Sequence, residues 1–271
     1  MSRAIPMRVP LLLFSLYLLG LALALLSFVD LQWGHWWLVP QIEQPGPAIK
    51  DATPTVHGGA GGASGQNPSV AQVTQSIVHV RAVQCGDSGE LVGTGFVVKA
   101  GYVATAAHVL GDAQSCGGKV TLVDAKGREH SAALEGASEA DDLALLRISD
   151  TTLPPLQLAD STAYEVAGQW VPLVTIGYPL EQRGLSSPDS AAISSEGTLS
   201  HFDRAHNVFV TSGLNFNPGN SGGPVFIRTN WQVLGVVRAK LAQGVGEGAG
   251  FVAPSRTVST FFREKTGQDL R

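Results

Sequence analysis

Three short segments of this 271-residue sequence place a histidine, a carboxylate and a serine in settings that suit acyl transfer. His108 follows a threonine and two alanines, small residues that leave room around an imidazole. Asp142 directly precedes the apolar run Leu-Ala-Leu-Leu, and Ser221 lies in the glycine-rich segment 217–225, NPGNSGGPV. A serine hydroxyl becomes a nucleophile when a histidine accepts its proton and a carboxylate orients that histidine. The three residue types together therefore predict a catalytic triad.

The three segments differ in how specifically each one indicates catalysis. Gly219 would let backbone N–H groups converge on a developing oxyanion, and Gly222 and Gly223 would let a substrate approach the serine without obstruction. The alternative for this segment is a simple turn between strands. A histidine after small residues is more often structural, and an aspartate before a strand most often belongs to a turn. The prediction of catalysis depends on their combination.

Short apolar and β-branched runs bounded by Gly, Pro, Asp and Ser predict the elements that carry these residues. Few stretches have a helical period, so the pattern favours an all-β domain. The predicted strands are 76–83, 93–99, 102–106, 120–123, 143–148, 170–176, 193–200, 208–211, 224–226, 232–237 and 250–252. Pro154 and Pro155 cannot continue a ladder, so the boundary between two halves is expected within 153–168. A short C-terminal helix is predicted over 255–265, with Ser255 as its N-cap.

The N-terminal segment 9–29 contains no charged residue. As a helix rising about 1.5 Å per residue, it would cover the roughly 30 Å hydrocarbon core of a bilayer. Arg3 and Arg8 precede it, so the positive-inside rule predicts a transmembrane signal anchor, with residues 1–8 cytoplasmic and the remainder exported. The alternative is a cleavable signal peptide, although no small-x-small cleavage site follows the apolar run. Residues 30–69, rich in Pro, Gly, Ala and Ser, are predicted to form a flexible linker.

Composition and residue spacing indicate which other partners and cofactors to expect. With a net charge of −4 and a pI near 5.9, the chain lacks the excess of basic residues that nucleic-acid-binding proteins carry, so nucleic acid is not expected as a partner. The remaining histidines lack metal-ligand spacing, so no site is assigned to them, and triad chemistry requires neither a metal nor an organic cofactor. The two cysteines, Cys85 and Cys116, both lie on the exported side, where disulfides persist. A bridge between them is expected, with two separate buried thiols as the alternative, and would contribute roughly 3–4 kcal/mol in the chain-entropy model.

The order and local sequence of these motifs resemble the chymotrypsin superfamily and, within it, the HtrA/Deg branch of bacterial envelope proteases. The resemblance covers about residues 72–265 and includes the segments GTGFVVKAGYVATAAHV, DDLALLRI, ISSEGTLS, NPGNSGGPV and GAGFVAPS. It implies two six-stranded antiparallel β-barrels with the triad in the crevice between them. Barrel one is expected over 70–155 and barrel two over 165–254, within a protease domain spanning 70–266.

The resemblance also implies roles for individual residues. Asp142 matches the family's catalytic acid because it directly precedes the apolar strand, with Asp141 as the fallback. The oxyanion hole would be formed by backbone N–H groups of Gly219 and Ser221, with Asn220 as a third candidate. The predicted substrate pocket contains Asn215, Val237, Arg238 and Ala239. Asn215 stands where relatives with a basic preference carry Asp, and Arg238 either favours acidic substrate residues or points into solvent.

Two departures from the family pattern bear on regulation. Digestive-type relatives carry Asp where this chain has Asn220, so activation by propeptide cleavage is not expected. The usual PDZ module is not expected within this chain, and a trimer is implied by the resemblance alone.

The predicted function is a membrane-anchored serine endopeptidase in the bacterial inner membrane, facing the periplasm and acting on proteins or peptides. A catalytically silent peptide-binding module is the alternative, and ester hydrolysis is disfavoured because the serine segment lacks the strand-to-helix elbow of α/β-hydrolases.

Overall fold

The computed structural model describes residues 67–86, 89–167, 170–179, 193–214, 216–240 and 249–270. These residues form two closed β-barrels of six antiparallel strands each and a C-terminal helix, as predicted. The predicted transmembrane segment 9–29 and the linker upstream of residue 67 lie outside the described residues. Within the described residues, no helix has the length and apolar character needed to cross a membrane.

Barrel one consists of the first six strands in the chain order. They are β1 (Ile77–Val83), β2 (Glu90–Lys99), β3 (Tyr102–Thr105), β4 (Val120–Val123), β5 (Glu129–Ser138) and β6 (Leu143–Ile148). The spatial order is β1-β2-β3-β6-β5-β4, and the pairing of β4 with β1 closes the barrel. Helix α1 (Val70–Thr74) precedes it, and a 3-10 turn (Ala107–Val109) and helix α2 (Ala113–Cys116) connect β3 to β4.

Barrel two repeats this arrangement with the remaining strands. They are β7 (Pro172–Gly177), β8 (Ile193–Asp203), β9 (Val208–Ser212), β10 (Pro224–Ile227), β11 (Val233–Lys240) and β12 (Ala249–Pro254). The spatial order is β10-β11-β12-β9-β8-β7, closed by pairing of β10 with β7. Helix α3 (Thr162–Ala167) lies between the barrels in the chain, and helix α4 (Ser255–Thr266) follows the last strand.

Each predicted run corresponds to one of these strands, but β5 was not predicted. Its residues are all exposed or partly buried, and none is fully buried. They include Ala, Glu, Gly and Ser, which have weak strand preference and give no apolar signal. Pairing with β4 and β6 makes this segment a strand.

The predicted N-cap of the C-terminal helix is wrong. Pro254 occupies the N-cap position, and Ser255 is the first helical residue. The Ser255 hydroxyl is buried and donates to Ala159 O at 2.7 Å. It therefore ties α4 to the connection between the barrels instead of satisfying the first helical amides.

Three apolar clusters hold the domain together. One fills barrel one and another fills barrel two. The third joins both barrels to α4 and contains, among others, Ile77, Phe96, Leu145, Ile176, Phe226, Val236, Phe261 and Phe262. Burial of each such side chain contributes about 1.5–3 kcal/mol. The third cluster therefore fixes the two barrels against each other, so that the turns at their seam keep a defined separation.

Candidate active site

His108 and Asp142 lie at the ends of neighbouring strands in barrel one. His108 is in the 3-10 turn that follows β3, and Asp142 directly precedes β6. The two strands pair, with Thr105 opposite Ala144, so their ends bring the side chains together. The His108 Nδ1 atom lies 2.8 Å from Asp142 Oδ2 and 3.0 Å from Oδ1, and the His108 backbone N–H donates to Oδ1 at 3.0 Å. This geometry favours the tautomer with the proton on Nδ1, leaving Nε2 able to accept a proton.

The neighbouring carboxylates have different partners. Asp141 accepts a hydrogen bond from the Ser138 hydroxyl at 3.1 Å, whereas Asp142 contacts His108. Asp142 has a φ of +50°, in the left-handed region that aspartate tolerates better than most residues with a side chain. Its side chain is 17% exposed and that of His108 is 48% exposed. The carboxylate is thus largely shielded while the imidazole remains accessible to a substrate.

The Ser221 turn is held by hydrogen bonds to both barrels. Thr94 of β2 donates its backbone N–H to Ser221 O at 2.8 Å. In barrel two, Gly222 N donates to Val237 O at 2.8 Å, and Val237 N donates to Gly223 O at 2.9 Å. These bonds place the serine turn at the seam between the barrels.

Gly222 shows how closely the serine turn approaches the histidine turn. Its φ is +82°, and a Cβ on this residue would lie 2.2 Å from Thr105 Oγ1 and 2.6 Å from Ala106 N. Only glycine fits without displacing this backbone. The structure therefore packs the residue after Ser221 directly against the segment that leads into His108.

The three predicted oxyanion-hole residues differ in what their backbone groups contact. Asn220 N donates to Asn217 O at 2.9 Å, so this amide is used within the turn. The Asn220 amide would have to give up this bond to donate to a substrate oxyanion. Gly219 has a φ of +97°, and its carbonyl accepts a hydrogen bond from the Thr94 hydroxyl at 2.7 Å. Gly219 and Ser221 remain the candidate donors.

Thr94 is a residue of the site that the sequence reasoning missed. It is fully buried in β2, between Gly93 and Gly95. A Cβ on Gly93 would lie 2.9 Å from Ser221 O and 2.6 Å from the Val109 side chain. Glycine inside a strand often marks such a close backbone approach. The Gly-Thr-Gly pattern in an otherwise apolar strand is therefore the signal that could have identified this position.

The structure describes only some of the residues predicted to form the substrate pocket. Asn215 lies outside the described residues, and only the backbone of Ala239 is described. Val237 is buried, with the backbone bonds to the serine turn given above. The Arg238 side chain is partly exposed and reaches across to barrel one, where its Nη2 donates to Ala140 O at 3.1 Å. The Arg238 guanidinium is thus partly in solvent and hydrogen-bonds a backbone carbonyl two residues before Asp142.

The segment that follows His108 is fastened to the end of β1. Cys85 and Cys116 form the predicted disulfide, with their Cα atoms 6.2 Å apart. The Asp112 carboxylate accepts the Cys85 backbone N–H at 2.9 Å, and the Gln84 side chain donates to Leu110 O at 3.2 Å. Among the described residues, the group with metal-ligand spacing is Cys85, Asp112 and Cys116. Because its two sulfurs are bonded to each other, they are not available as thiolate ligands.

Comparison with known proteins identifies a family and several relatives with similar sequences. Residues 93–236, more than half of the chain, match the family described as trypsin-like peptidase domain. The chain is 34% identical over 166 residues to a probable periplasmic serine endoprotease, DegP-like, of Chlamydia trachomatis, which covers 60% of this chain and 31% of that protein. It is 32% identical over 179 residues to the periplasmic pH-dependent serine endoprotease DegQ of Escherichia coli, covering 65% of this chain and 37% of DegQ. The chain thus spans about a third of the length of the curated relatives it matches.

The fold is also similar to those of solved protease structures. The active form of the Rv3671c protease from M. tuberculosis superposes with a TM-score of 0.60 at 26% identity, covering 74% of this chain and 85% of that one. The serine endoprotease from Yersinia pestis gives a TM-score of 0.59 at 23% identity, covering 73% of this chain and 65% of that one. The second similarity supports the fold alone.

Proposed function

Because this chain belongs to the trypsin-like peptidase domain family, we propose that it is a serine endopeptidase of the HtrA/Deg type that uses His108, Asp142 and Ser221. The observation that carries the proposal is the bonded His108–Asp142 pair beside the serine turn. A histidine oriented by a carboxylate, in a turn whose preceding residues pack against a glycine-framed serine turn, has the components of a nucleophilic triad.

The proposed reaction proceeds in two halves. His108 Nε2 takes the proton from the Ser221 hydroxyl as Oγ bonds to the peptide carbonyl carbon, and the carbonyl electron pair moves to its oxygen. Backbone N–H groups of Gly219 and Ser221 stabilise that oxyanion, and Asp142 stabilises the imidazolium. His108 then gives the proton to the leaving amine as the C–N bond breaks. A water activated by His108 hydrolyses the acyl-enzyme in the same way.

The end of β11 supports binding of an extended peptide. The pairing of β10 with β11 ends at Pro224 opposite Val236, whereas β11 continues to Lys240 in pairing with β12. Among the described residues, this edge of β11 has no strand partner beyond Val237, whose backbone groups bond to the serine turn. An extended chain binds a strand edge of this kind through main-chain hydrogen bonds. We propose that substrate proteins or peptides bind here and that Asn215, Val237, Arg238 and Ala239 line the adjoining pocket. Trimer formation stays an expectation from the resemblance.

We further propose that residues 9–29 anchor the chain in the bacterial inner membrane, with 1–8 cytoplasmic, 30–69 as the tether and the protease domain 70–266 in the periplasm. The disulfide and the periplasmic location in the relatives' names support export. The full-length chain, tagged at its C-terminus, is expected to remain in membranes washed with alkaline carbonate. Its tag should be accessible to added protease in spheroplasts. Recovery of a shortened chain in the soluble periplasmic fraction would instead favour a cleaved signal peptide.

An active-site phosphonate tests the proposed peptidase. A biotinylated diphenyl phosphonate is expected to label the folded full-length chain once, on the peptide that contains Ser221, as located by mass spectrometry. The same chain, heat-denatured before addition, is the control and should not be labelled. A folded chain that is neither labelled nor able to cleave any member of a peptide library would favour the silent binding module.

A further inference from the structure

We infer that Thr94 is a positioning residue that sets the geometry of the oxyanion hole from the opposite barrel. The inference rests on the proposed peptidase function. Thr94 belongs to barrel one, whereas Gly219 and Ser221, the two proposed amide donors, belong to barrel two. It is fully buried and bonds to the carbonyl of each of them, through its hydroxyl at 2.7 Å and its backbone N–H at 2.8 Å.

The peptide group between Gly219 and Asn220 is held at both ends. Its carbonyl oxygen accepts the Thr94 hydroxyl, and its N–H donates to Asn217 O at 2.9 Å. This peptide separates the two proposed donor amides in the chain, and its rotation changes ψ of Gly219 and φ of Asn220, two of the torsions that set the orientation of the donors relative to each other. Gly219 has no side chain to oppose rotation, and its φ of +97° lies where glycine alone is comfortable. The Thr94 hydroxyl therefore supplies the restraint that the glycine lacks.

The fold also determines which way the Thr94 hydroxyl points. The backbone N–H of Tyr178 donates to Thr94 Oγ1 at 2.9 Å. Because an amide N–H can only donate, this contact uses a lone pair of the hydroxyl oxygen and leaves its proton for Gly219 O. The Thr94 carbonyl accepts the Thr105 hydroxyl at 2.8 Å, on the strand that leads to His108. One threonine thus connects the nucleophile turn with the strand that carries the base.

The test replaces Thr94 with residues of similar volume. Thr94→Val keeps the branched shape but removes the hydroxyl, whereas Thr94→Ser keeps the hydroxyl. Loss of one oxyanion donor typically lowers kcat by about 10²–10³-fold. Because Thr94→Val would misorient donors without removing them, we expect kcat to fall about 10–100-fold with KM within about twofold of wild type. Thr94→Ser is expected to retain kcat within about threefold.

A second readout distinguishes positioning from a general loss of packing. A peptide boronate, whose tetrahedral adduct places an oxygen in the hole, should lose affinity for Thr94→Val by about the same factor as kcat/KM. Ser255→Ala is the matched control, because Ser255 is fully buried and its hydroxyl donates at 2.7 Å to a backbone carbonyl in the connection between the barrels, Ala159 O. We expect it to lower the melting temperature without changing kcat by more than about twofold.

The outcomes separate this inference from the proposed function. A folded wild-type chain that is neither labelled by the phosphonate nor able to cleave any member of the peptide library would contradict the peptidase itself. A labelled wild type together with a folded Thr94→Val variant of unchanged kcat and unchanged boronate affinity would overturn the role of Thr94. If Thr94→Val does not fold, Thr94→Cys is tested in its place. Because a thiol is a weaker donor than a hydroxyl, we expect a loss of kcat between those of Thr94→Ser and Thr94→Val. Unchanged kcat in the folded cysteine variant would overturn the inference equally.

Discussion

Replacement of Ser221 by alanine is expected to lower kcat for peptide cleavage by about 10⁶-fold. Alanine has no hydroxyl, so no acyl-enzyme forms, and water must attack the carbonyl with help from the remaining binding and oxyanion groups alone. The variant should fold like the wild type because the turn is held by backbone hydrogen bonds, from Thr94 N and between Gly222 and Val237. Cleavage of a fluorogenic peptide and labelling by the phosphonate are the measurements, and both should be lost.

Ser212→Ala is the matched control for this variant. Ser212 is an exposed serine at the end of β9, where its hydroxyl bonds to that of Ser200. Its replacement should leave kcat within about twofold and labelling unchanged. Cleavage at a near wild-type rate by Ser221→Ala, or continued labelling of that variant, would mean that another residue is the nucleophile.

Replacement of Asp142 by asparagine is expected to lower kcat by about 10⁴-fold. The asparagine side chain keeps the shape but presents an amide NH₂ as well as an oxygen to His108 Nδ1. An NH₂ donor at Nδ1 favours the tautomer with the proton on Nε2, which cannot accept the serine proton. The measurement is kcat of the purified full-length variant, alongside circular dichroism to establish that it is folded.

Asp141→Asn tests whether the assignment of the acid is right. The Asp141 carboxylate accepts the Ser138 hydroxyl, and the Asp141 backbone N–H donates to the same hydroxyl at 3.3 Å. We expect its replacement to change kcat by less than about threefold. A larger loss in Asp141→Asn than in Asp142→Asn would assign the catalytic acid to Asp141.

Much of the fold can be predicted from local pattern because burial leaves a periodic trace in the sequence. Strands β4 and β6 have the predicted bounds, and their residues are almost all buried. Strand β5 has little buried apolar surface, so its pattern carries little information, and its conformation depends on the neighbours that pair with it. The Ser255 error has a similar origin, since its hydroxyl bonds to Ala159, 96 residues away, instead of to its own helix.

The residues of the proposed triad can be recognised in the sequence, because each of His108, Asp142 and Ser221 lies in a short motif whose small or apolar neighbours are themselves informative. The tertiary structure alone shows that Asn220 N bonds within its own turn and that the Arg238 side chain reaches Ala140 O. It alone connects Thr94 to Gly219, 125 residues apart. Hydrogen-bond partners across a barrel seam depend on how two separately closed barrels pack, and no local pattern encodes that packing. Local sequence patterns therefore identify the chemical groups of the proposed site, whereas the way the serine turn is held follows from the packing of the two barrels.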